Sequence, residues 1–282
     1  METLTFQPPL LGESRAIDEL REFIVGVSLR SEPVLITGPE GTGKSLAVGK
    51  IHAIGPHAST PCCCVDGATL TEDELLEAIE FSGSEGGAGS LYIRNADLLD
   101  ESMAREIARR ICEEPSGPRF LLSSREDLDS PRWGCVREAG LFALITQLHR
   151  EIPPLAERLE DLPVLCRYQM WLHTLPENFE EEWDAFESGP LEDFLDQPWL
   201  GNVSELIEVL GEYCGVVDEG TPRRWSGDEG RATAQEEFLR QELEEAFEEV
   251  KALLREDECE GTEWILPHPR REIDDPEGDP DE

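Results

Sequence analysis

Positive charge is scarce in this chain. In 282 residues, 24 Lys and Arg stand against 63 Asp and Glu, a formal net charge of −39. The shortage is uneven: residues 1–150 hold 24 acids and 14 bases, whereas 151–282 hold 39 acids and 10 bases. A half with that surplus repels phosphate backbones and anionic lipid, so direct DNA binding and membrane binding by it are not expected. Solubility or salt adaptation and an acidic surface for a protein partner both fit the surplus. Long apolar runs are missing too, none approaching the roughly 20 residues of a membrane helix. The opening METLTFQPPLL has neither a basic start nor a long apolar stretch, so no secretory leader is expected. The eight cysteines include no C-x-x-C pair and no companion histidines at zinc spacing. Cys62, Cys63 and Cys64 fall where a short strand is expected and read as small buried hydrophobes. Free thiols and a cytoplasmic location are the expectation. His52, His57, His149, His173 and His268 are scattered and adjoin no nucleophile pattern, so structural roles are expected of them.

What is present is an alternation. The apolar runs PVLIT (33–37), CCCVD (62–66), SLYIR (90–94) and RFLLSS (119–124) are separated by segments with apolar residues three and four apart. Strands alternating with helices predict a parallel sheet covered on both faces. From EIPPLAERLEDLP (151–163) the pattern turns helical to about residue 217, and the Gly-Asn pair at 201–202 opens the last helix of that stretch. The expected organisation is an α/β core over 1–152, a helical lid over 153–217 and a linker over 218–233. An acidic amphipathic helix over 234–257 and an acidic, disordered tail over 258–282 complete it. In the 234–257 segment Leu239, Leu243, Ala246, Val250 and Leu253 form a stripe shorter than three heptads, which suits packing on the chain's own body better than a coiled coil.

Gly38-Pro39-Glu40-Gly41-Thr42-Gly43-Lys44-Ser45 fits the phosphate-loop pattern G-x-x-x-x-G-K-[ST]. Glycines let the backbone fold around a phosphate and aim N–H groups and a helix N-terminus at its charge. Lys44 is placed to reach the outer phosphates, and the Ser45 hydroxyl to ligate magnesium. The strand run before the loop and the amphipathic run after it are the context the motif needs.

Four blocks in order, LLGESRAIDEL (10–20), VLITGPEGTGKS (34–45), PPLAERLEDLP (153–163) and WLGNVSEL (199–206), resemble the AAA+ domain of sigma-54-dependent transcriptional activators. The resemblance spans about residues 9–215. It implies an ATP- or ADP-binding α/β core with a helical lid, Mg2+ at the phosphates, Leu11 and Gly12 near the adenine, and ring assembly on sigma-54 RNA polymerase. The departures are as informative. Where the family reads G-T-L-F-L-D-E, with an acid for magnesium and an acid for water, GSLYIRN (89–95) puts Arg94 and Asn95. A guanidinium cannot coordinate a cation and an amide cannot take a proton from water. SGSEGGAG (82–89) is too short for the family's G-A-F-T-G-A contact loop, which argues against contact with sigma-54. Arg125 stands at the polar sensor, Glu138 and Leu144 where arginines would reach a neighbour's nucleotide, and Ser204 where a lid arginine would reach the outer phosphate. These losses argue against a ring. Asp66, Asp97, Asp100 and Glu101 are the other acids near that strand; Asp100 and its neighbours read as a helix cap. Arg94 could substitute charge for magnesium, or form a salt bridge with Asp97 or Glu126. The chain is expected to be a nucleotide-binding, hydrolysis-deficient regulator with no catalytic residues of its own, acting on an unidentified protein partner. A weak ATPase and a scaffold without nucleotide are the alternatives.

Overall fold

The computed structural model describes residues 2–3, 9–83, 89–114, 116–174 and 178–214. The linker, the acidic helix and the tail expected beyond 217 lie outside the described residues, as do residues 84–88 of the short connection at 82–89.

Strand β1 (Glu2–Thr3) is followed by helix α1 (Arg15–Ser28), β2 (Val34–Thr37), α2 (Lys44–Ile54) and β3 (Cys62–Asp66). Then come α3 (Glu72–Gly83), β4 (Ser90–Arg94), α4 (Glu101–Glu113) and β5 (Arg119–Ser124). Two short helices, α5 (Gly134–Glu138) and α6 (Leu141–Ile145), lead to β6 (His149–Glu151). The sheet order is β1-β3-β4-β5-β2-β6. All neighbours pair in parallel except β1, which runs antiparallel to β3. The continuous apolar runs of the sequence become strands because helices bury both of their faces, which removes the usual alternation. β6 was not expected: His149-Arg150-Glu151 is polar, and this edge strand forms through backbone register with Leu35, Ile36 and Thr37.

The pleat sorts the strand residues between two cores. Val34, Ile36, Cys62, Cys64, Tyr92 and Leu121 pack with α1 and α2, while Leu35, Cys63, Leu91, Ile93 and Leu122 pack with residues of α3 to α6. Ser14 caps α1 by accepting from the Ile17 amide, and Asp100 caps α4 by accepting from the Met103 amide. The acid at 100 is thus spent on its helix.

Beyond β6 the described chain is helical: α7 (Leu162–His173), α8 (Phe179–Glu187), α9 (Pro190–Leu195) and α10 (Asn202–Tyr213). They share a third apolar cluster that includes Met170, Trp171, Trp183, Phe186, Trp199 and Leu210. Among the described residues no helix is long and apolar enough to cross a membrane. β3, β4 and β5 succeed one another on one side of β2, and β6 lies on the other. The order therefore reverses at β2, and such a reversal opens a crevice at the carboxyl ends of the strands.

Candidate functional site

The phosphate-loop sequence sits in that crevice, between β2 and α2. Its glycines at 38, 41 and 43 all have positive φ. Gly41 shows why: a Cβ there would lie 2.1 Å from the Gly201 carbonyl oxygen. Gly43 precedes α2 with no side-chain cap, so the first amides of that helix are left for an outside acceptor. The Lys44 Nζ folds back over the loop and donates to the carbonyls of Gly38 (2.7 Å) and Pro39 (2.6 Å), and Thr42 Oγ1 also donates to Pro39 (2.9 Å). Burial lowers the Lys44 ammonium to about 8, with nearby Arg125 adding to the fall and Glu40 opposing it.

The other three sequence blocks converge on the same loop. Asp161, fully buried, accepts from the Glu13 amide (2.7 Å), the Ser14 amide (2.6 Å) and the Ser14 hydroxyl (2.9 Å). This pins the segment of Leu11 and Gly12 beside the loop, and Arg21 donates to the Leu10 and Gly12 carbonyls from the other side. Arg158, also buried, contacts Asp161 at 3.4 Å and donates to the Thr42 carbonyl at 2.9 Å. From the lid, the Asn202 amide donates to the Glu40 carbonyl (2.7 Å) and the Val203 N–H to the Gly41 carbonyl (3.0 Å). Asn202 Oδ1 in turn accepts from the Leu155 amide at 2.7 Å. The loop thus carries the first turn of α10 on its crown and is joined to the N-terminal segment through one ion pair.

Ser45 lies in the first turn of α2, the helix that covers the Tyr92 face of the sheet, and its hydroxyl lies 3.0 Å from the Tyr92 hydroxyl. Tyr92 OH is 2.8 Å from Ser123 Oγ on β5. Burial raises the Tyr92 phenol, so it acts as a neutral hydrogen-bonding group. This chain of three hydroxyls was missed in the sequence, where only an aromatic in an apolar strand is visible.

The strand ends are as the sequence foretold in identity and unexpected in partnership. Asn95 adopts a left-handed backbone (φ 52°) and its Nδ2 donates to both oxygens of Asp66, each at 3.0 Å. Asp97 is buried and accepts from Ser124 Oγ at 2.6 Å. Glu126 meets Ser130 and Arg132. Arg125, directly after β5, donates from Nη1 to Glu40 Oε2 at 2.5 Å across the loop. Glu138 is exposed at the end of α5, Leu144 is half-buried, and Ser204 lies over Gly41.

Magnesium, which the resemblance implies, needs near-octahedral oxygens and normally one or two carboxylates beside the phosphates. Here Asp66 is engaged by Asn95, Asp97 by Ser124 and Glu40 by Arg125, β4 ends in Arg94, and the Ser45 hydroxyl is shared with Tyr92. Among the described residues no group of three or more His, Cys, Asp or Glu could hold a metal ion. These residues do not fit a magnesium held by the protein.

A model of the sigma-54 interaction domain family matches residues 11–155. The transcriptional regulator NtrC of Proteus hauseri is 26% identical over 229 residues, covering 71% of this chain and 47% of the relative. The transcriptional activator HyfR of Escherichia coli is 26% identical over 231 residues, covering 71% of this chain and 34% of the relative. The chain therefore spans a third to a half of the length of these two relatives. Among solved structures, NtrX from Brucella abortus in complex with ADP superposes with a TM-score of 0.58 at 22% identity, over 77% of this chain and 54% of the other. The same protein in complex with ATP gives 0.57 at 24% identity. At that identity the superposition speaks to the fold, an α/β phosphate-loop core with helices.

Proposed function

Because the chain belongs to the sigma-54 interaction domain family, we propose that it binds ATP or ADP at Gly38–Ser45, with Leu11 and Gly12 beside the base. It hydrolyses little or none of the nucleotide and acts in transcription-related or other regulation through a protein partner. The carrying observation is the pairing of a complete phosphate loop with a β4 that ends in Arg94 and Asn95, where Asp66 and Asp97 nearby are already hydrogen-bonded. Loop, helix N-terminus and Lys44 are arranged for phosphate, while Asn95, where water would be activated, spends its amide on Asp66. Binding needs only the former; turnover needs a positioned water and a base as well. That NtrX is solved with ADP and with ATP supports the choice of adenine nucleotides. The names of NtrC and HyfR, which describe DNA-binding regulators of transcription, support the regulatory setting. The short connection at 82–89 speaks against contact with sigma-54. Glu138 and Leu144 stand where the family's neighbour-directed arginines would be, which speaks against a ring.

Calorimetry with ATP and ADP, run beside a phosphate-release assay, tests the reading. Binding without sustained release is expected, and Lys44→Ala should weaken it by about ten- to a hundredfold, the worth of one charge-assisted contact. Sustained release abolished by Lys44→Ala would overturn the hydrolysis-deficient reading. No binding of either nucleotide would overturn the nucleotide reading.

Lys44 also gives binding a pH dependence. Its ammonium sits at about 8 beside the loop carbonyls, lowered mainly by burial. A phosphate beside it favours the charged form, so its bound value is higher. Binding therefore takes up a proton between those two values. Affinity should be flat in this contribution below pH 8 and fall above it by up to tenfold per pH unit. Calorimetry at pH 9 in two buffers of different ionisation heat reads that uptake directly, and a buffer-independent heat would contradict it.

A further inference from the structure

We propose that Arg125 takes the place of the divalent cation: the site accepts the nucleoside triphosphate in its metal-free form, and Arg125 leaves Glu40 to hold the outermost phosphate. This rests on the nucleotide reading above and extends it to the ionic form of the ligand and to a residue that sets specificity.

A triphosphate in this crevice needs cations, and the acids that would hold magnesium are missing or engaged, as described. The β4 terminus, two strand spacings from β2, is about 10 Å away and ends in Arg94. Arg125 is nearer, because β5 is the direct neighbour of β2 and Arg125 follows its last residue. It reaches over the loop to Glu40 and lies close enough to Lys44 to lower that ammonium. The inner phosphates belong to the loop amides and the α2 N-terminus. The remaining phosphate projects over the carboxyl ends of β2 and β5, on the side where Arg125 stands. Guanidinium is suited to this, since its fork binds a phosphate through two parallel N–H contacts.

Glu40 is the resting partner of that arginine. Side-chain exposure is 52% for Arg125 and 77% for Glu40. An ion pair so exposed holds little free energy, so a phosphate readily displaces the carboxylate. Glu40 then competes with the ligand twice, by occupying Arg125 and by placing a negative charge beside the phosphates. Its backbone carbonyl stays with Asn202, so changing the side chain leaves the lid contact in place.

Titration calorimetry of the full chain with ATP and with ADP, in EDTA and in excess magnesium chloride, provides the test. ATP should bind in EDTA at least as tightly as with magnesium. Arg125→Gln should weaken ATP in EDTA by about tenfold or more, with under threefold effect on ADP. Glu40→Gln should act in the opposite direction and tighten ATP severalfold. A bridge with a merely structural role would give both variants the same sign. Circular dichroism melts should show both variants folded, as expected for an exposed pair. Binding that requires magnesium by tenfold or more, or two variants shifted alike, would overturn the proposal while the nucleotide reading stands. Absence of ATP and ADP binding under both conditions would remove both.

Discussion

Asp161→Ala is expected to lower the stability of the folded chain by about 3–5 kcal/mol, the cost of breaking a buried ion pair by removing one partner. The carboxylate is fully buried and accepts from two backbone amides and one hydroxyl while facing Arg158. Its loss strands those three donors and leaves a guanidinium buried with only the Pro153 and Thr42 carbonyls. Domains are stable by only about 5–15 kcal/mol, so about a fifth or more of the total is at stake. Urea unfolding monitored by tryptophan fluorescence would measure it. Replacing Arg158 and Asp161 together by apolar residues of similar size should recover part of the loss, because no charge is then left without a partner. A cost under about 1 kcal/mol for Asp161→Ala would show that the network is not what holds the N-terminal segment to the loop.

Gly41→Ala should have the second largest effect, and a local one. The backbone at Gly41 has φ 75°, which costs an L-residue roughly 1–2 kcal/mol. The new methyl would also lie 2.1 Å from the Gly201 carbonyl oxygen, a separation that no rotamer change can relieve. The first turn of α10 must then lift from the loop. The Val203–Gly41 and Asn202–Glu40 bonds go with it, worth about 1 kcal/mol each. Together this is about 3–4 kcal/mol, or more than a hundredfold in the local opening equilibrium. Hydrogen exchange at the Val203 amide should speed up by about that factor, while amides within β2 and β5 are little changed. Gly211→Ala in the same helix is the control. Its added methyl meets nothing within 4 Å, so no acceleration at Val203 is expected. Unchanged protection in Gly41→Ala would mean that α10 does not rest on the loop in solution.

Much of this arrangement can be read from the sequence, for identifiable reasons. Strands β2 to β5 are legible because burial on both faces demands unbroken apolar runs, and the loop because phosphate binding demands its glycines. β6 is not legible, since its pairing with β2 uses backbone groups and its side chains are polar. The substitutions at Arg94, Asn95 and Arg125 are visible once the loop is found. Their partners are not, because Asn95 meets Asp66 from 29 residues away and Arg125 meets Glu40 from 85. Asp161 is the extreme case: within the run LEDLP it is one acid among several. Its role depends on Ser14, 147 residues earlier, and on a fold that brings the two together. The hydroxyl chain through Tyr92 turns on a single oxygen, which no periodicity reports.

The latch between α10 and the loop joins main-chain carbonyls of Glu40 and Gly41 to one amide side chain and one backbone N–H. Of the residues that form it, Gly41, Gly201 and Asn202 are fixed by geometry. The side chains of Glu40, Val203 and Ser204 take no part in its hydrogen bonds. Evolution can therefore rewrite what faces the phosphates without loosening the joint that reports on them. On the proposed reading, the residues of hydrolysis can change one by one while α10 stays on the loop.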